Sequence, residues 1–288
     1  MEFLNKYILI IIIGLIGTFW ILNHIKNLYI TFFKKKKVYN NILLNQLNYI
    51  FPIIIIICSI RCFICEPFKI FSYSMNPTLL TGDYIITQKF SCIINNLSKK
   101  NIVIKNYQPK KNDIVVFKSP HNKLVYYIKR IIGMPGDTIV YNPFKKKIYI
   151  ITKKNIKYQI ISLKNNMINN QYPGTFNMNT YRSLKIEQYQ EQYKNYIYNI
   201  SVTHGIKNSI YPFYKQCNSK KKWTWIIPKN KYFVIGDNRD KSSDSRSWGF
   251  ISKKNILGKA KYIWFSIDIH NKNWLKKIRF YRIFKKIL

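Results

Sequence analysis

The chain has 288 residues and a formal net charge of +38 at pH 7, which leaves room for one or two domains and favours anionic surfaces such as lipid headgroups. The lysines are scattered through the chain and form no single basic stripe, so the charge does not indicate a nucleic-acid partner. Five cysteines and four widely separated histidines argue against a disulfide framework and against a metal site. We predict no metal, no cofactor and no nucleic-acid partner; whether Cys92 and Cys217 pair stays open.

Two apolar runs near the start of the chain predict two transmembrane helices. The first lies within residues 1–33 and the second covers residues 49–65, and each comes near the ~20 residues that cross a bilayer. The loop between them, residues 34–48, begins with four consecutive lysines, and short lysine-rich loops stay in the cytoplasm. Two crossings then put everything after Glu66 on the far side of the membrane.

Residues 66–288 are predicted to form an exported, mainly β domain of antiparallel sheets. Short runs rich in β-branched and aromatic residues alternate with Pro, Gly, Asn and Asp, as in strands joined by turns. Between about residues 141 and 229 this pattern loosens into sequence rich in Asn, Lys and Tyr. We interpret that stretch as an inserted, smaller β-rich subdomain.

Three short islands within this domain carry residues suited to catalysis. They are SYSMNPTLLTGD at 72–83, YIKRIIGMPGD at 127–137 and GDNRDKSSDSRSWG at 236–249. Each island by itself is typical of a turn or of a solvated strand edge. None contains a histidine, so a Ser-His-Asp triad has no support. A lysine that has lost its proton can activate a serine in place of histidine.

Lys129 is the candidate base because it lies in a run of Tyr, Ile and Val that could keep water away. An ordinary lysine has a pKa of about 10.4, so action near neutral pH requires a pKa lower by roughly 2 to 3, which burial in an apolar site can supply. Side chains alternate along a strand, so the neighbouring Arg130 should point to the opposite face. There it is free to pair with a carboxylate.

The three islands, in this order and after a segment that ends in RCFICEPFKI, resemble the type I signal peptidases of bacteria. The resemblance covers most of the chain and is poor between positions 141 and 229. It implies a membrane-bound serine endopeptidase that removes N-terminal signal peptides from exported preproteins, cutting after small residues. It also implies a place in the bacterial inner membrane, with preproteins and the lipid bilayer as partners and the catalytic domain on the periplasmic face. We expect a monomer, although the sequence itself does not determine the oligomeric state.

The same resemblance assigns roles to individual residues. It makes Ser74 the nucleophile and Lys129 the general base. The hydroxyl of Ser72 and the backbone N–H of Ser74 would form the oxyanion hole, and Ser242 would orient the lysine amine with a hydrogen bond. A supporting ion-pair network is the interpretation favoured for Asp237, Asp244 and Arg246.

The substrates of this family carry small residues at the first and third positions before the cut, which shallow apolar subsites would select. The positions that match the family's pocket are Phe68, Ile70, Met75, Leu79 and Ile128. Ordinary core packing is the alternative for each of them. Phe71 and Tyr73 stand where the family usually has a proline and a small residue, which puts the efficiency or the substrate range in question more than the identity.

Two other interpretations come from different functional classes. One is a membrane-tethered protein that binds signal sequences but has lost much of its catalysis; the intact set of Ser74, Lys129 and Ser242 speaks against it. The other is a basic membrane protein that binds nucleic acid, for which net charge is the only support. Specific shortening of a preprotein, binding without cleavage, and nucleic-acid affinity that falls steeply with salt would distinguish the three.

Overall fold

The structure of the protein is a computed structural model in two compact units, Met1–Cys65 and Glu66–Leu288. The residues that it describes are 14, 17–18, 20–26, 29, 50–57, 65–89, 91–95, 101–106, 108–122, 124–152, 157–159, 161–164, 186–193, 196–203, 223–269, 271 and 273–287.

In the first unit, the described residues 20–26 and 50–57 are helical, one stretch within each of the two predicted spans. Among the described residues, no helix is both long enough and apolar enough to cross a membrane. The predicted basic loop, residues 34–48, lies outside the described residues. The two transmembrane helices and their topology therefore stay predictions.

The second unit is built from strands, as the alternation of β-branched runs and turn residues predicts. The strands in chain order are β1 Cys65–Lys69, β2 Asp83–Lys89, β3 Ser91–Asn95, β4 Asn101–Asn106, β5 Ile114–Lys118, β6 Tyr126–Gly133, β7 Thr138–Asn142, β8 Lys147–Ile151, β9 Lys157–Gln159, β10 Ile161–Lys164, β11 Ile186–Tyr193, β12 Tyr196–Thr203, β13 Thr224–Ile226, β14 Lys231–Ile235, β15 Ile251–Ser252, β16 Ile256–Ser266 and β17 Lys285–Lys286. Short helices are α1 Ser245–Trp248 and α2 Trp274–Lys277, with 3-10 turns at Lys253–Asn255 and Phe280–Arg282.

The main sheet carries the three sequence islands. Its strand order is β1-β2-β16-β5-β6-β14-β15, with β17 paired to β16. From β2 to β15, and between β16 and β17, neighbouring strands pair in antiparallel fashion, which confirms the predicted mainly antiparallel β architecture. Buried and half-buried residues alternate along β2, whereas β5 and most of β6 are buried at consecutive positions. The side chains on both faces of β5 and of most of β6 are therefore buried in the interior.

Smaller sheets lie between β6 and β14 in the chain. One has the order β13-β7-β8-β9 and the other the order β10-β11-β12. A shared hydrophobic core joins them to β14; its largest members include Tyr141, Tyr198, Trp225 and Phe233. These strands occupy the region in which the sequence predicts an inserted subdomain, and β14 then returns to the main sheet. Cys217 lies outside the described residues.

Candidate active site

Ser74 lies on the loop that joins β1 to β2, where two other parts of the chain hold its backbone. Its carbonyl oxygen accepts a hydrogen bond from the N–H of Asn238 at 3.0 Å, and the Asn238 side-chain amide donates to the Tyr73 carbonyl at 3.1 Å. The side chain of Ser74 is 6% exposed. The third island thus fixes the position of the serine that the first island carries.

Lys129 reaches the same point from β6. Its residue is 4% exposed, and its Nζ lies 2.6 Å from the Oγ of Ser74. Antiparallel pairing with β5 sets Lys129 opposite Val115, so an apolar residue neighbours the predicted base. The structure brings the predicted nucleophile and the predicted base to hydrogen-bond distance, and we refer to the two as the dyad.

Burial controls the protonation of Lys129. Loss of water around the amine lowers the pKa of Lys129 from 10.5 to about 8, even though the carboxylates of Asp244 and Asp237 pull it upward; Arg246 contributes a smaller lowering. The direction and its cause agree with the prediction made from the apolar strand. About half of the lysine is therefore neutral near pH 8.

The neighbouring Arg130 contacts a different partner from Lys129, as the two-residue period of a strand predicts. Its Nε and Nη2 donate to the two carboxylate oxygens of Asp237 at 2.9 and 2.8 Å, and both side chains are buried. Asp237 Oδ2 also accepts from the hydroxyl of Thr78 at 2.5 Å. This buried pair links the strand of Lys129 to the loop of Ser74.

Asp244 and Arg246 form a second buried pair. Arg246 Nε and Nη2 donate to the Asp244 carboxylate at 2.8 Å each, and Asp244 also caps α1 by accepting from the Arg246 N–H. Although burial alone would raise it, the adjacent Arg246 guanidinium holds the pKa of Asp244 below its usual value. Asp244 also accepts from the N–H of Gly236, so the pair holds the third island in shape.

The buried charges around the dyad balance when Lys129 is neutral. Three arginines each have a carboxylate partner: the pairs are Arg130–Asp237, Arg246–Asp244 and Arg239–Glu191. Within the described part of the chain, no carboxylate lies at salt-bridge distance from Lys129. A protonated Lys129 would therefore add an unpaired buried charge, which is costly. Compared with water, these surroundings favour the neutral amine, which is the form that the predicted general base would need.

Ser72 lies within hydrogen-bond distance of the dyad, whereas Ser242 makes no hydrogen bond to it. The Oγ of Ser72 lies 3.1 Å from the Oγ of Ser74. The Oγ of Ser242 is buried and, among the described residues, has no hydrogen-bond partner, so the predicted hydrogen bond to Lys129 is absent. A Cβ at Gly236 would lie 2.2 Å from the Ser242 Oγ and 2.5 Å from the Ser74 carbonyl oxygen. Glycine at 236 therefore gives Ser242 its place close to the loop of Ser74.

The five predicted subsite residues belong to one apolar cluster, formed by Phe68, Ile70, Met75, Leu79 and Ile128 together with core residues of β2, β5 and β16. Met75 and Leu79 have no exposed surface, and Ile70 is buried. Phe68 and Ile128 keep part of their surface accessible. In this conformation, only those two of the five are available for direct contact with a substrate.

Several residues that shape the site do not stand out in the sequence. Thr78 and Asp83 lie inside the first island, where their polar side chains are the only indication. Glu191 and Arg282 lie in segments with no recognisable pattern, and only the fold brings them near the islands. Among the described residues, no three His, Cys, Asp or Glu side chains gather into a group that could hold a metal ion.

Comparison with known proteins gives consistent matches. Residues 43–265 match the family described as signal peptidase, peptidase S26. A signal peptidase I of Buchnera aphidicola subsp. Baizongia pistaciae is 42% identical over 294 residues, which cover 93% of this chain and 94% of the relative. A signal peptidase I of Haemophilus influenzae is 28% identical, over 84% of this chain and 75% of the relative. A crystallised signal peptidase I of Enterococcus faecalis is 25% identical and covers 53% of this chain and 96% of its own, with a TM-score of only 0.27.

Proposed function

Because the chain belongs to the signal peptidase family, peptidase S26, we propose that it removes N-terminal signal peptides from exported preproteins as a membrane-bound serine endopeptidase. Ser74 is the nucleophile and Lys129 the general base, and the cut follows a small residue. One observation carries the proposal: the 2.6 Å between Lys129 Nζ and Ser74 Oγ, in a buried setting that lowers the pKa of the lysine to about 8.

In the acylation step, neutral Lys129 accepts the hydroxyl proton of Ser74 while the serine Oγ forms a bond to the carbonyl carbon of the scissile peptide. The carbonyl electrons move onto its oxygen and give a tetrahedral oxyanion. When that carbonyl re-forms, the C–N bond breaks and Lys129 donates the proton to the leaving amine. The mature protein departs with a free N-terminus, and the signal peptide stays on Ser74 as an ester.

In the deacylation step, Lys129 is neutral again and accepts a proton from water as the water oxygen attacks the ester. The ester C–O bond breaks, the proton returns to Ser74, and the signal peptide leaves as a carboxylic acid. The Ser74 N–H and the Ser72 hydroxyl would stabilise the oxyanion in both steps. Support for Ser72 is its 3.1 Å distance from the attacking oxygen, and one such donor is typically worth 10²- to 10³-fold in rate.

Phe68 and Ile128 are proposed to form the accessible walls of the subsites, with Ile70, Met75 and Leu79 packed behind them. All five share one apolar cluster, and a rigid floor of buried side chains resists opening for a bulky residue. A substrate residue directly before the cut would then have to be small. This arrangement matches the small-residue preference that the family resemblance implies.

The proposed location is the bacterial inner membrane, with two crossings and the catalytic unit on the periplasmic face. In the first unit, the helical isoleucines from Ile53 to Ile57 are all exposed, at 38% to 59%. A contiguous exposed apolar patch of this kind suits contact with lipid better than contact with water. The chain is proposed to act there as a monomer on preproteins. A binding protein without catalysis is not favoured, because the dyad is intact.

Preprotein cleavage by the full chain in detergent micelles tests the function. Ser74→Ala should abolish cleavage. Lys129→Arg should also be inactive yet folded, because arginine keeps the charge but has a pKa above about 12 and does not deprotonate. Lys254→Arg, the same exchange at an exposed residue, should cleave at the wild-type rate. A wild-type chain without cleavage would refute the peptidase assignment, and an active Lys129→Arg chain that still depends on Ser74 would refute the Ser-Lys mechanism.

A further inference from the structure

The last described residues of the chain, 278–287, pack beside the loop that carries Ser74. Ile278 forms a bridge with Ile267, just after the end of β16, and β17 pairs with Tyr262 and Ile263 in the C-terminal half of the same strand. Ile287 is buried in the apolar cluster that contains Met75 and Leu79. The C-terminal segment is therefore attached to the main sheet at both of its ends, with Arg282 between the two attachments.

Arg282 binds two points of the Ser74 loop with one guanidinium group. Its Nε donates to Asp83 Oδ1 at 3.0 Å, and its Nη2 donates to Asp83 Oδ2 at 2.6 Å and to the carbonyl oxygen of Thr78 at 3.0 Å. The Arg282 side chain is 6% exposed, and that of Asp83 is fully buried. A planar fork with several fixed donors holds such an arrangement in a way that the single ammonium of lysine does not.

Further hydrogen bonds hold the turn from Thr78 to Asp83. The Asp83 carboxylate also accepts from the N–H of Leu80 at 2.8 Å and from the hydroxyl of Ser266 at 2.7 Å. Arg279 donates to the carbonyl oxygen of Thr81 at 3.1 Å. Buried charged hydrogen bonds therefore surround the turn that directly follows the nucleophile.

The same turn is connected to the strand of the base. The Thr78 hydroxyl donates to Asp237, and Asp237 pairs with Arg130, the neighbour of Lys129 in β6. The carbonyl oxygen of Thr78 thus accepts a hydrogen bond from Arg282, and its hydroxyl donates a hydrogen bond to the ion pair beside Lys129. A displacement of Thr78 would change the position of Ser74 relative to Lys129.

We propose that Arg282 is a positioning residue for Ser74, so that the C-terminal segment forms part of the active-site scaffold. Ser74 lies on an irregular loop, and the strand pairing of the main sheet does not fix it directly. A displacement of about 1 Å at a reacting atom can reduce the rate by roughly 10²-fold. Arg282 acts through the loop and touches neither the substrate nor the reacting atoms. The inference rests on the proposed peptidase function.

The test compares the full-length Arg282→Lys chain with wild type and with Lys285→Ala, an exposed residue three positions further along the chain. The values of kcat and KM for preprotein cleavage are measured over a range of pH, with the enzyme concentration corrected for the folded fraction of each variant. Arg282→Lys should lower kcat roughly 10- to 100-fold and leave KM within about twofold. The pH midpoint should stay near 8, because the burial of Lys129 does not depend on Arg282. Lys285→Ala should match wild type.

The other outcomes distinguish failure of the proposed function from failure of the positioning role of Arg282. If the wild type does not cleave, the proposed function fails; if it cleaves and Arg282→Lys has the same kcat, only the positioning role fails. A raised KM with unchanged kcat would make Arg282 a substrate contact and would overturn the proposal. Should Arg282→Lys not fold, Asp83→Asn weakens the same pair from the loop side and should show the same kcat loss. If neither variant folds, the pair is a stability element and the proposal is wrong.

Discussion

The buried Lys129 predicts how cleavage depends on pH. With a pKa of about 8, roughly one Lys129 side chain in eleven is neutral at pH 7 and roughly ten in eleven are neutral at pH 9. In the proposed mechanism only the neutral amine accepts the proton of Ser74, so raising the pH should increase the rate. We expect kcat/KM to rise about tenfold between pH 7 and pH 9 and then to level off.

The size of this rise identifies the depressed pKa. A lysine with its ordinary pKa of about 10.4 would give a rise of nearly a hundredfold over the same interval, with no plateau below pH 10. The assay is cleavage of a purified preprotein at constant ionic strength from pH 6 to pH 10, with subsaturating substrate. Tryptophan fluorescence at each pH verifies that the enzyme stays folded.

Two results would refute the reasoning about Lys129. A rate that keeps rising without a plateau to pH 10 would mean that burial does not lower the pKa of the base. A flat profile between pH 7 and pH 9 would mean that no group with a pKa near 8 controls the reaction.

Two substitutions test the surroundings of the dyad. Ser72→Ala should lower kcat roughly 10²-fold with little change in KM, because one oxyanion donor is lost; preprotein cleavage measures it. Asp237→Asn should lower the free energy of unfolding by roughly 3–5 kcal/mol, because it leaves the buried guanidinium of Arg130 without its counter-charge; urea denaturation measures it.

Each of these two substitutions has a matched control variant. Ser243→Ala removes an exposed serine hydroxyl of the third island and should keep wild-type kcat. Glu66→Gln breaks the more exposed pair with Lys89 and should change the free energy of unfolding by less than about 1 kcal/mol. Full activity of Ser72→Ala would show that Ser72 is not part of the oxyanion hole. If Asp237→Asn lowers the free energy of unfolding no more than Glu66→Gln does, the buried Arg130 does not need Asp237 as its counter-charge.

Local sequence was enough for the parts of the site that depend on a single strand or turn. The two-residue period of a strand assigned Lys129 and Arg130 to opposite faces, and they do face different partners, Ser74 and Asp237. The apolar neighbours of Lys129 predicted its burial and the direction of its pKa. Because these properties come from adjacent residues, they follow from residue order alone.

The tertiary structure decided which groups meet. Arg130 and Asp237 are 107 positions apart, and Arg282 and Asp83 are 199 apart. Nothing in the chemistry of a carboxylate shows which of several buried arginines it will bind, since every pairing has the same donors and acceptors. Strand register and the return of the C-terminal segment along β16 made that choice. The same long-range packing left Ser242 without its expected hydrogen bond and brought Arg282 to Asp83 and Thr78, beside Ser74 in the chain.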